Sequence, residues 1–456
     1  MVSMKMMIEA VIIQDDGSTY RKELLELESS LHQPLLPGLS IDKSKALLKS
    51  TQQTLVDAQS QSYMQRHRCC PECGKKRRIK DYQHRKFNTL FGQVPITGYR
   101  LYRCSCEDSP FQTVSLLSEW LPSNVHPELK CLETKWASLM SYGLTVERLK
   151  DILPLNQKLN AVTVRNHLID VARRQESELE SQSDSLDGYP VDWEHLPKPG
   201  KPMVIGFDGG YVRDSTNRKS NFEVITGKSF STQVKAKRFG YVQKIEANPR
   251  KRMISLLTSQ GMQANQQITF LSDGAENLRE MQYRLYPEAE HILDWFHITM
   301  KLTVLNQYAK GVCKSSPREG EFLQQHLASA KWYLWHGNTQ EALSQLDCSL
   351  DICDFPEFKY PKRKKLVQYV EELMTYIENN QAMIPNYGER YRYNEPISTS
   401  FVESTVNEVV SKRMAKKQQM QWSQQGAHYL LQTRTTVLNG ELEAVFEGWY
   451  PELKAA

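Results

Sequence analysis

The chain has 456 residues, a length typical of about two to four domains. Hydrophobic residues make up 40% of it and charged residues 24%, a composition that is ordinary for a soluble globular protein. The net charge of +5 is too mild to indicate a nucleic-acid partner by itself. No apolar run approaches the ~18 residues of a membrane span, and the first residues lack signal-peptide features. We therefore expect an intracellular protein, in which nine cysteines favour metal ligation or buried thiols over disulfides.

Residues 1–65 predict a strand or hairpin followed by a helix. Residues 7–13 are apolar and strand-like, and the DDG sequence that ends at Gly17 signals a turn. Residues 44–65 are rich in Ala, Leu and Gln and contain no Pro or Gly, which predicts a helix. No chemical motif occurs here, so we interpret this segment as a packing or multimerisation element.

Residues 66–120 contain the sharpest local motif of the chain, which consists of two cysteine pairs: Cys70, Cys73, Cys104 and Cys106. The first pair lies in CPECG, a zinc-knuckle sequence whose glycine lets the backbone turn around a tetrahedral metal. Between the pairs, residues 94–102 alternate in hydrophobicity, which predicts a hairpin that presents the second pair. The pattern predicts a zinc-ribbon-like module with one structural Zn²⁺.

The second pair is CxC rather than CxxC, so Cys69 or His84 stays open as an alternative ligand, and free buried thiols are the alternative to zinc. Basic side chains surround the motif: Arg77, Arg78, Lys80, Arg85, Lys86, Arg100 and Arg103. On a small module this charge indicates either a DNA-facing surface or a solvated basic one.

Residues 121–180 predict a helical domain with a helix-turn-helix pattern. One helix is predicted over residues 144–153 and stops at Pro154, and a second is predicted over residues 161–172. The second would be the recognition helix, with three side chains near its start as DNA contacts: Thr163, Arg165 and Asn166. A plain helical hairpin is the alternative. Residues 181–201 are rich in Ser, Asp, Pro and Gly and predict a linker.

Residues 202–300 carry two similar strand ends. Residues 203–207 are an apolar run that predicts a buried strand ending at Asp208, which two glycines follow. Residues 268–272 repeat this design before Asp273 and one glycine. A carboxylate at the end of a buried strand costs free energy unless something satisfies it. The repeated design therefore predicts a shared metal site.

The order of elements in this region predicts how the two aspartates meet. Further strands are expected over residues 221–227 and 239–245, and helices over 250–260 and 276–286. Residues 291–297 are expected to form a short last strand that runs into a helix. Three strands in hairpins, followed by helix, strand, helix and strand, is the order of an RNase H-like fold. In that order the first strand is central and the fourth lies beside it, so Asp208 and Asp273 would converge.

Residues 301–395 predict an all-helical insertion in this core, with helices over residues 322–333, 339–349 and 363–379. We expect Trp332 and Trp335 to lie mostly in its core. The basic run at residues 362–365 predicts either a solvated face or a phosphate contact. The whole is a multidomain α/β chain, in which the insertion interrupts the RNase H-like core and the ribbon and helical modules precede it.

Residues 396–456 predict the last core helix, over about residues 401–417, and a C-terminal tail. The apolar stripe of this helix is formed by valines: Val402, Val406, Val409 and Val410. Glu403 borders the stripe, whereas Glu408 falls on the far, solvated side. We interpret Glu403 as a third site carboxylate. The alternative is a capping box with Ser400, in which Glu403 only bonds the backbone.

Six pieces of the sequence match one family in their order along the chain: CPECG, GFDGG, FLSDGAE, HILDWFHI, STSFVEST and WSQQGAHYLLQTR. From about residue 66 to 440 the chain resembles bacterial insertion-sequence transposases of the ISKra type, which belong to the DDE group and are related to Mutator-like enzymes. The resemblance implies that Asp208, Asp273 and Glu403 are the catalytic and metal-binding triad. The 130 residues that separate the last two are consistent with an insertion.

The resemblance extends to Asp294 and His297, which match the D-x-x-H pair of the Mutator-like group. We expect these two residues to support the core without being required metal ligands. Basic and aromatic residues of the C-terminal region are further expected DNA contacts: Lys412, Arg413, Lys416, Lys417, Trp422 and Arg434.

These features predict a DDE transposase that binds terminal inverted repeats and catalyses strand cleavage and strand transfer with two Mg²⁺ or Mn²⁺ ions. Its partners would be double-stranded DNA, at element ends and at the target, and further copies of itself in a dimer or higher multimer. We expect a bacterial cytoplasmic protein associated with the nucleoid. One alternative is a transposase-derived DNA-binding protein without cleavage activity. Another is a nuclease or junction resolvase with the same core.

Overall fold

The computed structural model describes residues 3–14, 17–30, 38–106, 112–182, 200, 202–217, 219–230, 234–263, 265–355, 358–398, 404–415 and 420–454. The chain divides into two compact units, Met1–Val171 with Gly440–Ala456, and Ala172–Asn439. The division falls inside a helix rather than in the predicted linker, and the C-terminal tail groups with the first unit. None of the helices in these ranges combines the length and apolar character that crossing a bilayer requires.

The first unit begins with a hairpin and a long helix, which confirms the elements predicted there. β1 (Ser3–Ile13) pairs antiparallel with β2 (Thr19–Ser30). α1 (Ile41–Arg66) begins after Ser40, whose side-chain oxygen accepts a hydrogen bond from the Lys43 N–H at 3.3 Å. The cap satisfies one of the backbone donors that a helix leaves unpaired at its start.

A three-stranded antiparallel sheet follows, formed by β3 (Ile79–Thr89), β4 (Gly92–Tyr102) and β5 (Thr113–Ser115). Val94 and Ile96 of β4 are buried against α1 and the short helix α2 (Leu116–Trp120). At Gly98, a Cβ atom would lie 2.8 Å from Met64 Cε of α1. The glycine therefore permits α1 to pack directly on the sheet. The predicted hairpin is confirmed.

Three helices complete the first part of the chain: α3 (Pro127–Leu139), α4 (Tyr142–Ile152) and α5 (Ala161–Ser181). α4 ends at Ile152, one residue before its predicted end at residue 153, and does not reach Pro154. The side-chain oxygen of Asn160 caps α5 by accepting the N–H of Thr163 at 3.1 Å. Both predicted helices are confirmed, and α5 continues past its predicted end at residue 172.

The second unit is built on a five-stranded sheet: β6 (Met203–Arg213), β7 (Asn221–Phe230), β8 (Lys237–Val242), β9 (Ile268–Ser272) and β10 (Glu290–Leu293). The order across the sheet is β10-β9-β6-β7-β8. β7 pairs antiparallel with both β6 and β8, whereas β6, β9 and β10 are parallel. The strand that carries Asp208 is therefore central, as predicted.

The central strand is longer than the sequence predicted. We expected it to end at Asp208, but β6 continues through this residue and its antiparallel pairing with β7 extends to Arg213 opposite Asn221. The parallel pairing with β9 stops earlier, at Gly206 opposite Leu271. Asp208 thus lies where pairing on one side has ended while pairing on the other continues, so the strand does not turn at the glycines.

Each face of the sheet is covered. α6 (Pro249–Ser259) and α7 (Glu276–Leu285) pack on one face, in a core that contains Met203, Ile205, Phe207, Phe270 and Leu257. The other face contributes Val204, Leu271 and Ile292 to a core shared with a helical segment, and Leu293, at the end of the edge strand, joins the same core. This burial on both faces explains why these strands are continuous apolar runs in the sequence.

The helical segment consists of α8 (Trp295–Cys313), α9 (Pro317–Trp335), α10 (Thr339–Asp354), α11 (Arg363–Asn380), a 3₁₀ turn (Gln381–Met383) and α12 (Tyr387–Arg392). Its predicted helical character is confirmed. Trp335 packs on Trp295, with ring centroids 5.0 Å apart. Trp332 is 58% exposed, because it lies on the solvent face of α9, so its predicted core position was wrong. The basic run at residues 362–365 is exposed.

The C-terminal elements are α13, a π-helix (Asn407–Ala415), α14 (Gln424–Asn439), α15 (Leu442–Trp449) and a 3₁₀ turn (Pro451–Lys454). Val409 and Val410 are buried, as predicted. The prediction for Glu408 was wrong, because its carboxylate accepts a hydrogen bond from Arg238 Nε at 2.7 Å. A π-helix has more residues per turn than an α-helix, which changes the angular position expected for Glu408.

Candidate functional site

The four cysteines of the two pairs meet beyond the ends of β3 and β4. Cys70 Sγ lies 3.5 Å from Cys106 Sγ, and Cys73 Sγ lies 3.4 Å from Cys104 Sγ. All four sulfurs lie within 4.8 Å of one another. Four thiolates around Zn²⁺ at ~2.3 Å would be separated by roughly 4 Å, so the cluster could hold a tetrahedral zinc ion.

The CxC pair completes this cluster, and the two alternative ligands lie outside it. Cys69 bridges through its backbone to Lys76. His84 Nδ1 bonds instead to Thr97 Oγ1 at 3.0 Å, across the β3–β4 pair. The unusual CxC spacing left the ligand set open in the sequence. The structure brings Cys104 and Cys106, rather than Cys69 or His84, together with the CPECG pair.

The knuckle backbone explains how the first pair is held. Gly74 has a φ of +70°, a left-handed conformation that favours glycine, and its N–H donates to the Cys70 carbonyl at 2.9 Å. A hydrogen bond from the Cys106 backbone lowers the pKa of Cys104 to about 7. That shift favours the thiolate at Cys104, and the thiolate is the form that ligates a metal. Burial raises the pKa of Cys70, and the hydrogen bond to Cys104 raises that of Cys106, so one thiolate is favoured among neighbouring thiols.

The second candidate centre lies in the other unit, just beyond the point where the parallel pairing of β6 with β9 ends. Asp208 and Asp273 each follow, by two residues, the last parallel pair between these strands. The structure brings their carboxylates together with a ring nitrogen of His297, and one candidate ligand atom from each lies within 4.8 Å of the others. Two carboxylates and an imidazole are donors that suit a divalent ion. The predicted convergence of the two aspartates is confirmed.

His297, the third member of this group, is hydrogen-bonded to Asp294, which follows β10 and is the N-cap of α8. Asp294 is fully buried, and its carboxylate bonds His297 Nδ1 at 2.7 Å. Burial lowers the pKa of His297, but its hydrogen bond to Asp294 and the charges of Asp294, Asp273 and Asp208 outweigh this, so the net pKa is raised. We expected both residues only to support the core, whereas His297 stands among the candidate ligands.

The turn that presents Asp273 is fixed from several sides. Asp273 Oδ1 accepts the Ala275 N–H at 3.0 Å, and its carbonyl accepts a hydrogen bond from the Tyr376 hydroxyl at 2.8 Å. Gly274 has a φ of +85°, and a Cβ there would lie 2.4 Å from Asn380 Oδ1. Tyr376 and Asn380 belong to α11, about a hundred residues later in the chain. No local sequence signal indicated that they support the site.

The third predicted carboxylate, Glu403, lies outside the described residues. A Cβ at Gly210 of β6 would lie 3.4 Å from Cγ1 of Val406, the residue before α13, and 3.9 Å from Cγ1 of Val410 within α13. α13 therefore packs on β6 two residues beyond Asp208. This contact agrees with the expectation that the last helix packs on the central strand.

The predicted DNA contacts fall into three groups. Arg165 and Asn166 of α5 and Lys412 of α13 are exposed, and Thr163 is half-buried. Lys416 and Lys417 lie outside the described residues. The remaining side chains are buried inside the second unit: Arg413, Trp422 and Arg434.

The predicted DNA contacts at these three buried residues were wrong. The Arg413 guanidinium stacks over the Trp422 ring at 5.1 Å, and Arg434 Nε donates to the Val409 carbonyl at 2.8 Å. Arg434 therefore donates to a backbone carbonyl of α13 inside the unit instead of facing solvent. A basic residue on an amphipathic helix gives no sequence signal for this role.

No protein-family model matches this chain, and no curated protein sequence shows significant similarity to it.

Proposed function

We propose that this chain is a DDE transposase that binds the ends of an insertion sequence and cuts and joins DNA strands with divalent metal ions. The convergence of Asp208 and Asp273, just beyond the last parallel pair of β6 and β9, carries the proposal. The sheet order β8-β7-β6-β9-β10, with one antiparallel side and one parallel side, supports an RNase H-like core. The helices between β10 and α13 support an insertion in that core.

The residues of the second centre fit the chemistry of this reaction. Asp208 and Asp273, with Glu403 as the proposed third member, supply the carboxylate oxygens that Mg²⁺ or Mn²⁺ prefers. When bound, such ions activate a water or a DNA 3′-OH for in-line attack at phosphorus. The chain itself positions the carboxylates, Asp208 through the β6–β7 pairing and Asp273 through its turn. No covalent enzyme–DNA intermediate is required.

A surface of the first unit supports DNA as the partner. Every second residue from just before β3 to its middle has an exposed side chain, and we call these five residues the β3 stripe: Arg78, Lys80, Tyr82, His84 and Lys86. Basic side chains neutralise phosphates, and an exposed aromatic ring offers a stacking surface. The cysteine cluster lies beside the start of this strand, so a bound zinc would hold the stripe in place. Other predicted basic residues have partners within the protein, such as Arg100 with Asp81.

Cleavage of a supercoiled plasmid that carries the element ends tests the proposed function. We expect wild-type protein to cut at the ends only with Mg²⁺ or Mn²⁺. Asp208→Asn and Asp273→Asn should abolish cleavage but retain end binding in gel-shift assays, and Asp347→Asn, an exposed change on α10, should leave both intact. Cleavage that survives the two site changes would overturn the proposal, and end binding without any cleavage by wild type would favour the DNA-binding alternative.

Glu403→Gln separates the two interpretations of Glu403 in the same assay. Loss of cleavage with normal end binding is expected for a metal-binding carboxylate. Normal cleavage is expected from the capping box, because Gln also serves at the N3 position of the box.

The β3 stripe is tested by reversing charge. Lys80→Glu with Lys86→Glu should weaken DNA binding and reduce its dependence on salt, because two fewer phosphates are neutralised. Lys43→Glu, on α1, is the matched control. Equal affinity and equal salt dependence in all three proteins would exclude the stripe from the DNA interface.

A further inference from the structure

Both carboxylate oxygens of Asp294 form hydrogen bonds within the protein. Oδ1 accepts the Phe296 N–H at 2.9 Å and thereby caps α8, and Oδ2 bonds His297 Nδ1 at 2.7 Å. The side chain is fully buried, so these bonds form away from water and fix the carboxylate plane. The imidazole ring of His297 is consequently held in one orientation.

That orientation is tied to the strand that carries Asp273. The Asp294 N–H donates to the Ser272 carbonyl at 2.8 Å, which continues the β9–β10 pairing by one residue. The start of α8 is therefore in register with the end of β9. His297 follows within the first turn of α8, which explains how its ring reaches the two carboxylates.

We infer that His297 is a nitrogen ligand of the divalent ion held by Asp208 and Asp273, and that Asp294 is the residue that positions it. This inference rests on the proposed function, because it concerns the metal of the same site. A carboxylate that accepts a hydrogen bond from one imidazole nitrogen while the other binds metal is a common arrangement around protein metals. With Nδ1 bonded to Asp294, Nε2 is the nitrogen left for the ion.

The ligand set has a consequence for the choice of metal. Mg²⁺ prefers oxygen donors in a near-ideal octahedron, whereas a transition ion accepts imidazole more readily. A site with two carboxylates and one imidazole should therefore bind Mn²⁺ more tightly than Mg²⁺. A purely structural His297, present only as a positive partner for the two aspartates, would give no metal–nitrogen bond.

Pulsed electron paramagnetic resonance of Mn²⁺ bound to the full-length, zinc-loaded protein tests this directly. We expect nitrogen-14 modulation of the Mn²⁺ signal, replaced by a nitrogen-15 pattern when the protein is labelled with ¹⁵N-histidine. His297→Gln should remove the histidine coupling. His326→Gln, in α9 and hydrogen-bonded to Gln345, should keep it. The labelled wild-type protein makes the test independent of whether His297→Gln folds.

The positioning role of Asp294 has its own readout. Asp294→Asn should raise the Kd for Mn²⁺ by about 10- to 100-fold, the range for removal of a ligand's hydrogen-bond partner. Mn²⁺ binding that depends on Asp208 and Asp273 but shows no histidine coupling would overturn the inference and leave the proposed function standing. Absence of Mn²⁺ binding in the wild type, together with absence of cleavage, would overturn both.

Discussion

The two candidate metal centres of this chain are built in different ways. The cysteine cluster joins the two ends of one hairpin, and its ligands span 36 residues of sequence. The Asp208, Asp273 and His297 group joins two parallel strands and a helix that are separated by whole elements of the second unit. The first centre is a local structure, whereas the second exists only when the sheet has formed.

The two centres also differ in the ligand atoms that they offer to a metal ion. Four thiolates complete the coordination of a zinc ion, which is the pattern of a structural site. Two carboxylates and one imidazole leave positions for water or substrate, which is the pattern of a catalytic site. The comparison predicts that loss of the first metal unfolds its surroundings, while changes around the second alter stability by smaller amounts.

The largest expected effect is loss of the zinc ion. Cys70→Ser should greatly increase hydrogen exchange over residues 66–106 and leave exchange in β6 and β9 unchanged, because structural zinc contributes on the order of 10 kcal/mol to folding. Cys69→Ser, beside the cluster but outside it, is the matched control. Equal protection from hydrogen exchange in all three proteins, together with no zinc in the wild type by metal analysis, would contradict the interpretation of the cysteine cluster as a structural zinc site.

A smaller loss is expected where the second centre meets α11. Gly274→Ala should reduce the free energy of unfolding by about 3 kcal/mol, because it combines backbone strain with a clash against Asn380 and Leu293. Gly261→Ala has a similar φ of +79° with no atom within 4 Å, so it should cost only about 1 kcal/mol. Urea unfolding measures both. Equal losses would show that α11 does not pack on this turn.

The pH dependence of stability should reveal His291, which supports the same turn through Ser272 Oγ at 2.8 Å. Burial, followed by the charge of Arg279, lowers the pKa of His291 from its ordinary 6.5 to about 4. The unfolded chain therefore binds the proton more tightly. The stabilisation is present above pH 6.5 and is lost as the pH falls toward 4, with a magnitude on the order of 3 kcal/mol.

His291→Gln should flatten the decline in stability between pH 6.5 and 4, measured by urea unfolding at several pH values. His84→Gln changes an exposed histidine of β3 and should leave the decline as it is in the wild type. A decline that is identical in the wild type and His291→Gln would show that the partly buried ring of His291 does not lower the proton affinity of the folded state.

The smallest expected effect is that of Tyr376→Phe, which removes the hydroxyl bond to the Asp273 carbonyl. We expect a loss of about 1 kcal/mol by urea unfolding, the net worth of one hydrogen bond. Tyr283→Phe, at a 68% exposed position of α7, should cost almost nothing. Tyr376→Phe that matches this control would remove Tyr376 from the support of the second centre.

The sequence predicted the features that local patterns encode. The CPECG and CxC pairs, the alternating segment before Tyr102 and the apolar runs that precede Asp208 and Asp273 each determine structure within a few residues. Helix boundaries were close wherever a cap or proline marked them, as at Pro154. The convergence of the two aspartates followed from the order of the elements, because parallel neighbours end at the same edge of a sheet.

Long-range packing decided what the sequence did not predict. β6 continues beyond Asp208 because β7 continues to pair with it. The sequence of β6 alone does not indicate how long its partner strand is. Arg413 and Arg434 resemble surface cations in sequence, but both are buried in the structure. Arg413 stacks on Trp422, and Arg434 donates a hydrogen bond to the Val409 carbonyl of α13. Tyr376 reaches Asp273 from a distant helix, and only the folded core makes that contact visible.

Hydrogen exchange with and without Mg²⁺ tests the central claim, that Asp208 and Asp273 form a metal site, most directly. A ligand at 100 times its Kd stabilises the folded state by ~2.7 kcal/mol. We predict that Mg²⁺ slows hydrogen exchange in β6 and β9 of the wild-type protein but not of Asp208→Asn. Exchange around the cysteine cluster should be unaffected by Mg²⁺ in both proteins. Equal slowing in both proteins, or none in the wild type, would contradict the account.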